Sequence, residues 1–380
     1  MSTRLIRTIR WFSIALFFAT LFQWLALPVQ LDPVAVAPIP AWRVDSRAHR
    51  YQWLGGWAGI GLATTVVDVL SGTTYTFPSN VGSVTTIEII AAGANGGVAS
   101  ANGGNGGAYS ILNSPSYTAS KTVNINVGTA ANGQDTWFDG ANLAGSAVGA
   151  QSGTNGGSSA SGTGTTKYSG GAGGTTEAPY AFLRTGGGGG GSGAPSGIGR
   201  AGGNGASSFD SPGDGAGGGG GAGASSATAG GNGSGSNGGN GGNAQDGTAG
   251  GTGTSTTGSP GGNGSHGSGG GGGWYDGNVT VSNGGNGGNG IEWTLTAGGT
   301  VGGGGGGGGA PYDTNAALVT NGGNGGNYGG GGGTGYTGGT GGASIIVITY
   351  VKSSGSVIWD AANFAVLGVV VSHLWDAVNV

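Results

Sequence analysis

The chain has 380 residues, and 101 of them are glycine, far above the usual share of roughly 7%. Charged residues make up 7%, the net charge is -4 and there is no cysteine. Disulfides and thiolate metal sites are therefore excluded, and no basic field exists to hold a nucleic-acid backbone. With 11 prolines and no sustained Gly-X-Y register, a collagen triple helix is excluded as well.

Residues 1–31 open with Arg4, Arg7 and Arg10 and continue as an uncharged, mostly apolar run from Trp11 to Leu27. The run predicts a helix that stops before Pro28. A basic start followed by apolar sequence suits a docking helix in a larger assembly, a membrane anchor or a secretory signal, and its length sits at the lower limit for spanning a bilayer. Residues 32–72 hold Pro33, Pro38 and Pro40, then Trp42, Trp53 and Trp57 with Arg43, Arg47 and Arg50 interleaved. This composition predicts an extended attachment arm that lies against a partner, with cation–π contacts among the interleaved Arg and Trp residues; the competing reading is a strand pair packed on the glycine-rich body.

The body, 73–352, opens and closes with strand signals. Tyr75-Thr76-Phe77-Pro78 leads into the β-branched run Val84 to Ile90, followed by Tyr109 to Leu112. Thr122 to Val127 alternates strictly, with its apolar residues at odd positions, and predicts a half-buried strand. Trp137-Phe138 marks another short strand, and Ser344 to Val351 closes the body with a long β-branched run. Between them lie Asn-Gly-Gly-Asn-Gly-Gly units at 102–107, 237–242, 283–288 and 321–326. Pure glycine runs occupy 186–191, 217–221, 269–273, 302–309 and 329–333.

Each ordered residue costs roughly 1–2 kcal/mol of backbone entropy, and glycine loses the most freedom. Close packing of bare backbones offsets that loss. Polyproline II segments have three residues per turn and no internal hydrogen bonds, so glycine on the inward face lets neighbours approach and pair laterally. The Asn-Gly-Gly triplet matches that period. The predicted fold is therefore mainly β and irregular: short β-strands flanking a glycine-rich polyproline II-type bundle, with an N-terminal apolar helix. A flexible linker is the competing reading, and strands at both ends argue against it because their pairing needs the chain to return to its start.

Chemistry-bearing motifs are not found. His49, His266 and His373 fall in unrelated contexts and none belongs to a metal-ligand spacing. No Gly-rich phosphate loop follows a strand and opens a helix. Neither enzyme activity nor a cofactor is expected. The aromatics between glycine runs, Trp274, Tyr275, Trp293, Tyr312, Tyr328 and Tyr336, are the candidate receptor contacts, since rings on a small-residue scaffold suit stacking on sugars or gripping an exposed loop; their competing role is to cover the bundle. The tail, 353–380, repeats Ile358-Trp359-Asp360-Ala361 as Leu374-Trp375-Asp376-Ala377 around an apolar centre. It reads as a docking or oligomerisation segment, with Trp359 and Trp375 as contacts, against the competing reading of a closing hairpin of the same domain.

The body resembles the glycine-rich domain of bacteriophage tail-fibre and adhesin-type virion proteins. The matching stretches are Tyr75 to Pro78, Ser83 to Gly97, Gly103 to Ser110, Val123 to Gly128 and Gly338 to Tyr350. The resemblance implies sandwiched polyproline II segments and a structural, host-attachment role at the virion surface. It also implies other virion proteins as partners, a homo-oligomer (a trimer among the options) and a host cell-surface glycan or protein as receptor. A bacterial secreted or membrane-anchored surface protein is the alternative, which would use residues 1–31 as signal or anchor.

Overall fold

Strand-forming sequence from the two edges of the glycine-rich stretch meets in one sheet. The computed structural model describes residues 42–47 and 64–353, apart from 99–100, 179–182, 208–213, 224–225, 236, 245–247, 255–259, 276–280, 291–302 and 314–318. The N-terminal apolar helix and the docking tail lie outside the described residues. Among those described, helical structure is confined to single 3-10 turns at Gly153–Asn155 and Ser159–Ser161, so the protein is mainly strand and irregular.

The strands of the two main sheets begin with β1 (Trp42–Arg47), β2 (Thr64–Val69), β3 (Thr74–Thr76), β4 (Val81–Ile90), β5 (Tyr109–Asn113), β6 (Thr122–Asn126), β7 (Thr136–Phe138), β8 (Val148–Ala150) and β9 (Thr166–Tyr168). Short pairs follow: β10 (Leu183–Thr185), β11 (Asp214–Gly215), β12 (Trp274–Tyr275) and β13 (Pro311–Asp313). The last strand is β14 (Ile345–Lys352). A six-stranded sheet runs β1-β2-β14-β4-β5-β9 and a four-stranded sheet runs β3-β6-β7-β8. Every pairing in both is antiparallel.

β14 is central, with Ile348 opposite Val67 on one side and Ile87 on the other. Its Ile346, Ile348 and Tyr350 face inward with Val67, Val69, Ile87 and Ile89, as period-two alternation requires. The four-stranded sheet supplies Tyr75, Val123, Ile125, Phe138, Val148 and Ala150 to the same core. Rings fill its middle: Phe77 meets Tyr75 edge-on at 5.0 Å and stacks on Tyr117 at 5.0 Å. The expected arm is different in kind where it is described. β1 pairs with β2 from Trp42↔Val69 to Arg47↔Thr64, and β2 is itself locked to β14. The β-branched run Thr64 to Val69 buries alternate residues, so this part of 32–72 belongs to the body's sheet.

The glycine-rich runs stack beside the sandwich in rows. One row comprises 169–175, 199–206 and 228–234. A second comprises 102–108, 186–194, 215–223 and 237–244. A third comprises 328–334, 303–310, 267–273 and 248–254, and a fourth 337–343, 320–327, 282–290 and 260–264. Runs are parallel within a row and antiparallel between rows. Run 186–194 shows the rule. Gly188 and Gly191 donate to Gly203 and Arg200, Gly189 and Ser192 to Gly307 and Gly304, and Gly190 and Gly193 to Gly104 and Gly107, all at 2.7–3.0 Å. Successive N–H groups thus point to three different neighbours in rotation, and every third residue returns to the same one.

Composition sets depth in this array. The described parts of the pure glycine runs, including 186–191, 303–309 and 329–333, are buried throughout. Runs with an open side carry Asn, Thr or Ala at every third position, and those residues are exposed, as at Asn321, Asn324 and Asn327. Asn serves the open side for a reason. Its Oδ1 accepts the N–H that has no further run to meet: Asn283, Asn286 and Asn289 accept from the backbone N–H of Asn321, Asn324 and Asn327 at 2.8–2.9 Å. Asn324 and Asn327 in turn accept from Thr340 and Ala343 at 2.9 Å. Outward peptide donors are satisfied without another strand.

Candidate functional site

The register places the connections leaving Thr175, Ala206, Ser234, Thr254, Tyr275, Ala310 and Thr334 at one end of the rows, because antiparallel rows bring alternate turns back together. Val98, just past the run 91–97, joins them through a bridge to Gly335. The opposite end abuts the sandwich, where Ala91 and Ala108 continue into β4 and β5 and Ser344 leads into β14.

Short strand pairs fasten this outer end. β10 pairs with β13, Arg184 opposite Tyr312, and β11 pairs with β12, Gly215 opposite Trp274. Glu177 and Thr185 exchange two backbone bonds at 3.0 Å, and the Thr185 hydroxyl donates to the carbonyl of Ala206 at 2.7 Å. The Ser282 hydroxyl accepts from the Trp274 N–H at 2.7 Å and donates back to its carbonyl at 2.9 Å. The Thr176 hydroxyl donates to the Ala101 carbonyl at 2.7 Å. Several of these connections therefore start from a backbone held by small hydroxyl residues, which reach a carbonyl without needing volume.

The aromatics read as receptor contacts divide by depth. Trp274 and Tyr312 lie at this end but are buried, 6% and 0% exposed. Tyr328 is 9% exposed and sits at the opposite end against Ile90, Tyr109, Ile345 and Val347. Their burial fits the competing role of covering the bundle, which suits a broad apolar side chain. Tyr275 and Tyr336 are partly exposed at the outer end. Trp293 lies outside the described residues, as do the docking candidates Trp53, Trp57, Trp359 and Trp375. Trp42 opens β1.

Sequence reasoning missed other outer-end residues. Val98 and Val319 are 58% and 61% exposed on connections that flank Tyr336 through the bridges Val98↔Gly335 and Asn321↔Thr337. Glu177 and Arg184 add half-exposed charge. Their only sequence signal is interruption of a low-complexity run. Together these side chains form a mixed apolar, aromatic and charged surface on a backbone-fixed base, suited to binding by shape and contact. Among the described residues no cluster of His, Asp and Glu could hold a metal ion, and no helix is long and apolar enough to cross a membrane. Comparison with protein-family models, curated proteins and solved structures found no match.

Proposed function

We propose that this chain is a non-enzymatic structural and binding component of a bacteriophage virion, a tail fibre, adhesin or surface decoration protein that presents its outer-end connections to a host cell-surface glycan or protein. The observation that carries the reading is the convergence of the connections at one end of a hydrogen-bonded stack whose other end abuts a β-sandwich. A stiff stack with binding residues at one end and a folded base at the other suits attachment at a distance. Loops on a rigid scaffold are also where sequence changes at least cost to the fold.

The glycine-rich runs are, in this proposal, polyproline II segments. Support comes from the period of three in their bonding and from donors that go to neighbouring runs, as expected of a helix with three residues per turn and no internal bonds. Other virion proteins and further copies of the chain are the proposed partners at the base.

Two measurements test the proposal. Far-ultraviolet circular dichroism of the full chain should combine a polyproline II signature with β-structure; a random-coil spectrum with rapid digestion across 149–343 overturns the bundle. Antibody against the full chain should mark an appendage or surface of particles from the source culture and block their adsorption to cells. Recovery of the chain only from the bacterial envelope or medium overturns the virion assignment and favours the secreted or anchored surface protein.

A further inference from the structure

The outer face of the four-stranded sheet carries a cleft of about 410 Å³, within the roughly 300–1,000 Å³ span of small-molecule sites. It lies on the sandwich, not on the end that gathers the connections. Trp137 of β7 lines it. Its neighbours Thr136 and Phe138 are fully buried, so alternation turns the indole to the opposite, outward face. Asn126 stands opposite Trp137 on one side and Gly149 on the other. A Cβ at Gly149 would fall 2.6 Å from Leu143 Cδ1 and 3.1 Å from Trp137 Cβ. The bare glycine thus lets Leu143 seat beside the indole and complete an apolar wall. A large ring placed outward on a strand is not accounted for by the core.

Around it stand Asn126, Gln134, Asp135, Asn142 and Asn155, and each is already held by one of its polar atoms. Asn126 Nδ2 donates to the Asp135 carbonyl at 2.5 Å. Asp135 Oδ1 accepts from the Ser152 N–H at 2.8 Å and from Asn155 Nδ2 at 3.0 Å. Asn142 Oδ1 accepts from the Gly145 N–H at 2.9 Å, and Gln134 Oε1 accepts from Asn132 Nδ2 at 3.3 Å. The remaining atoms are donors on Gln134 and Asn142 and acceptors on Asn126, Asn155 and Asp135. These side chains are oriented before any ligand arrives, which lowers the ordering cost of binding. The lining contains no Lys or Arg, and its one charge is a carboxylate, so phosphorylated and acidic ligands are disfavoured.

An apolar indole face beside held side-chain donors and acceptors fits a sugar. A pyranose stacks its C–H face on an aromatic ring, and each hydroxyl both donates and accepts. We propose that this cleft binds a neutral hexopyranose, as a mono- or disaccharide unit of a glycan. The proposal stands apart from the virion assignment, since it uses residues of the sandwich and none of the outer-end connections.

Saturation-transfer NMR and titration calorimetry on the full chain, with cellobiose, lactose and diacetylchitobiose as neutral probes and glucose 6-phosphate as the anionic one, test it. At least one neutral probe should bind, and Trp137→Ala should weaken it tenfold or more, with Trp137→Phe retaining part of the affinity. Gln134→Ala, on an exposed position, should weaken binding several-fold with an unchanged melting temperature, and it decides the matter if Trp137→Ala does not fold. Tyr336→Ala at the outer end should leave saccharide binding unchanged. Absence of signal from every neutral probe, equal binding by glucose 6-phosphate, or wild-type binding by both folded cleft variants overturns the proposal.

Discussion

A methyl carbon on Gly306 would lie 2.0 Å from the carbonyl oxygen of Gly189, well inside van der Waals contact. Both residues are buried in runs with neighbours on every side, so the rows must spread to admit it. Gly306→Ala should cost about 1–3 kcal/mol or more, the range of overpacked cores, as a lowered denaturation midpoint. Gly145→Ala is the control. Its nearest neighbour would be Asn142 Oδ1 at 3.4 Å, and the smaller entropy of the unfolded chain should leave stability unchanged or slightly raised. Tyrosines give a second test. Burial, with Tyr350 adding to it, pushes the Tyr75 phenol well above its ordinary range, and burial followed by the Glu88 carboxylate does the same to Tyr109. Unfolded phenols ionise near about pH 10 while these remain protonated in the fold. Their stabilisation is therefore complete below about pH 10 and lost as pH rises above it. Melting temperature should fall steeply between about pH 10 and 12, and Tyr75→Phe should flatten that fall.

Among the elements, β14 joins the C-terminal edge of the glycine-rich stretch to β2 and β4 of its N-terminal edge, at the centre of the six-stranded sheet. Ile348 is fully buried in it, and Ile348→Ala should cost about 2–5 kcal/mol, measured as a drop in the urea midpoint with the sandwich and rows melting together. The runs make a separate prediction. In 186–194 each N–H from Gly188 to Gly193 meets a neighbouring backbone, whereas in 320–327 the amides of Asn321, Asn324 and Asn327 meet only side-chain Oδ1 atoms. Amide exchange should be slowest through the pure glycine runs and should quicken at every third residue of the Asn-bearing ones. Uniform exchange across both would contradict the row arrangement. Strand positions here were largely legible beforehand. The alternation of Val123 and Ile125 became a strand with those residues buried, and the β-branched run to Val351 became a strand as well. β8 and β9 were not anticipated, since Val-Gly-Ala and Thr-Lys-Tyr are too short to show a period.

Across the whole molecule the pairings are long in sequence: Ile345 lies opposite Ile90, and Gly331 bonds to Gly190. Such contacts close large loops before they stabilise anything, so folding should be slow for a domain of this size. A chain ending at Ala343 lacks β14 and should lose the near-ultraviolet signal of the sandwich and become protease-sensitive throughout; a stable, protected remnant would show that the rows stand alone. The candidate site was legible only in part. That aromatics punctuate the runs was plain, yet Trp274, Tyr312 and Tyr328 turned inward while Val98, Val319 and the Trp137 cleft escaped notice. Exposure there depends on where a run loses its neighbours, which is a property of the stack.

By itself the amino-acid order determined which residues can approach backbone to backbone. Only glycine has no Cβ to hold runs apart, and a polar residue at every third place marks a side left open to water. It likewise marked several strands of the body, because alternation at Val123 and Ile125 and β-branched runs such as 345–351 need no partner to be visible. Tertiary structure decided which run lies beside which, which ends of the rows carry the connections, and which rings are covered. A glycine run bonds equally well to any other glycine run, so its partner is selected by the packing of the whole stack and by the sandwich that closes it.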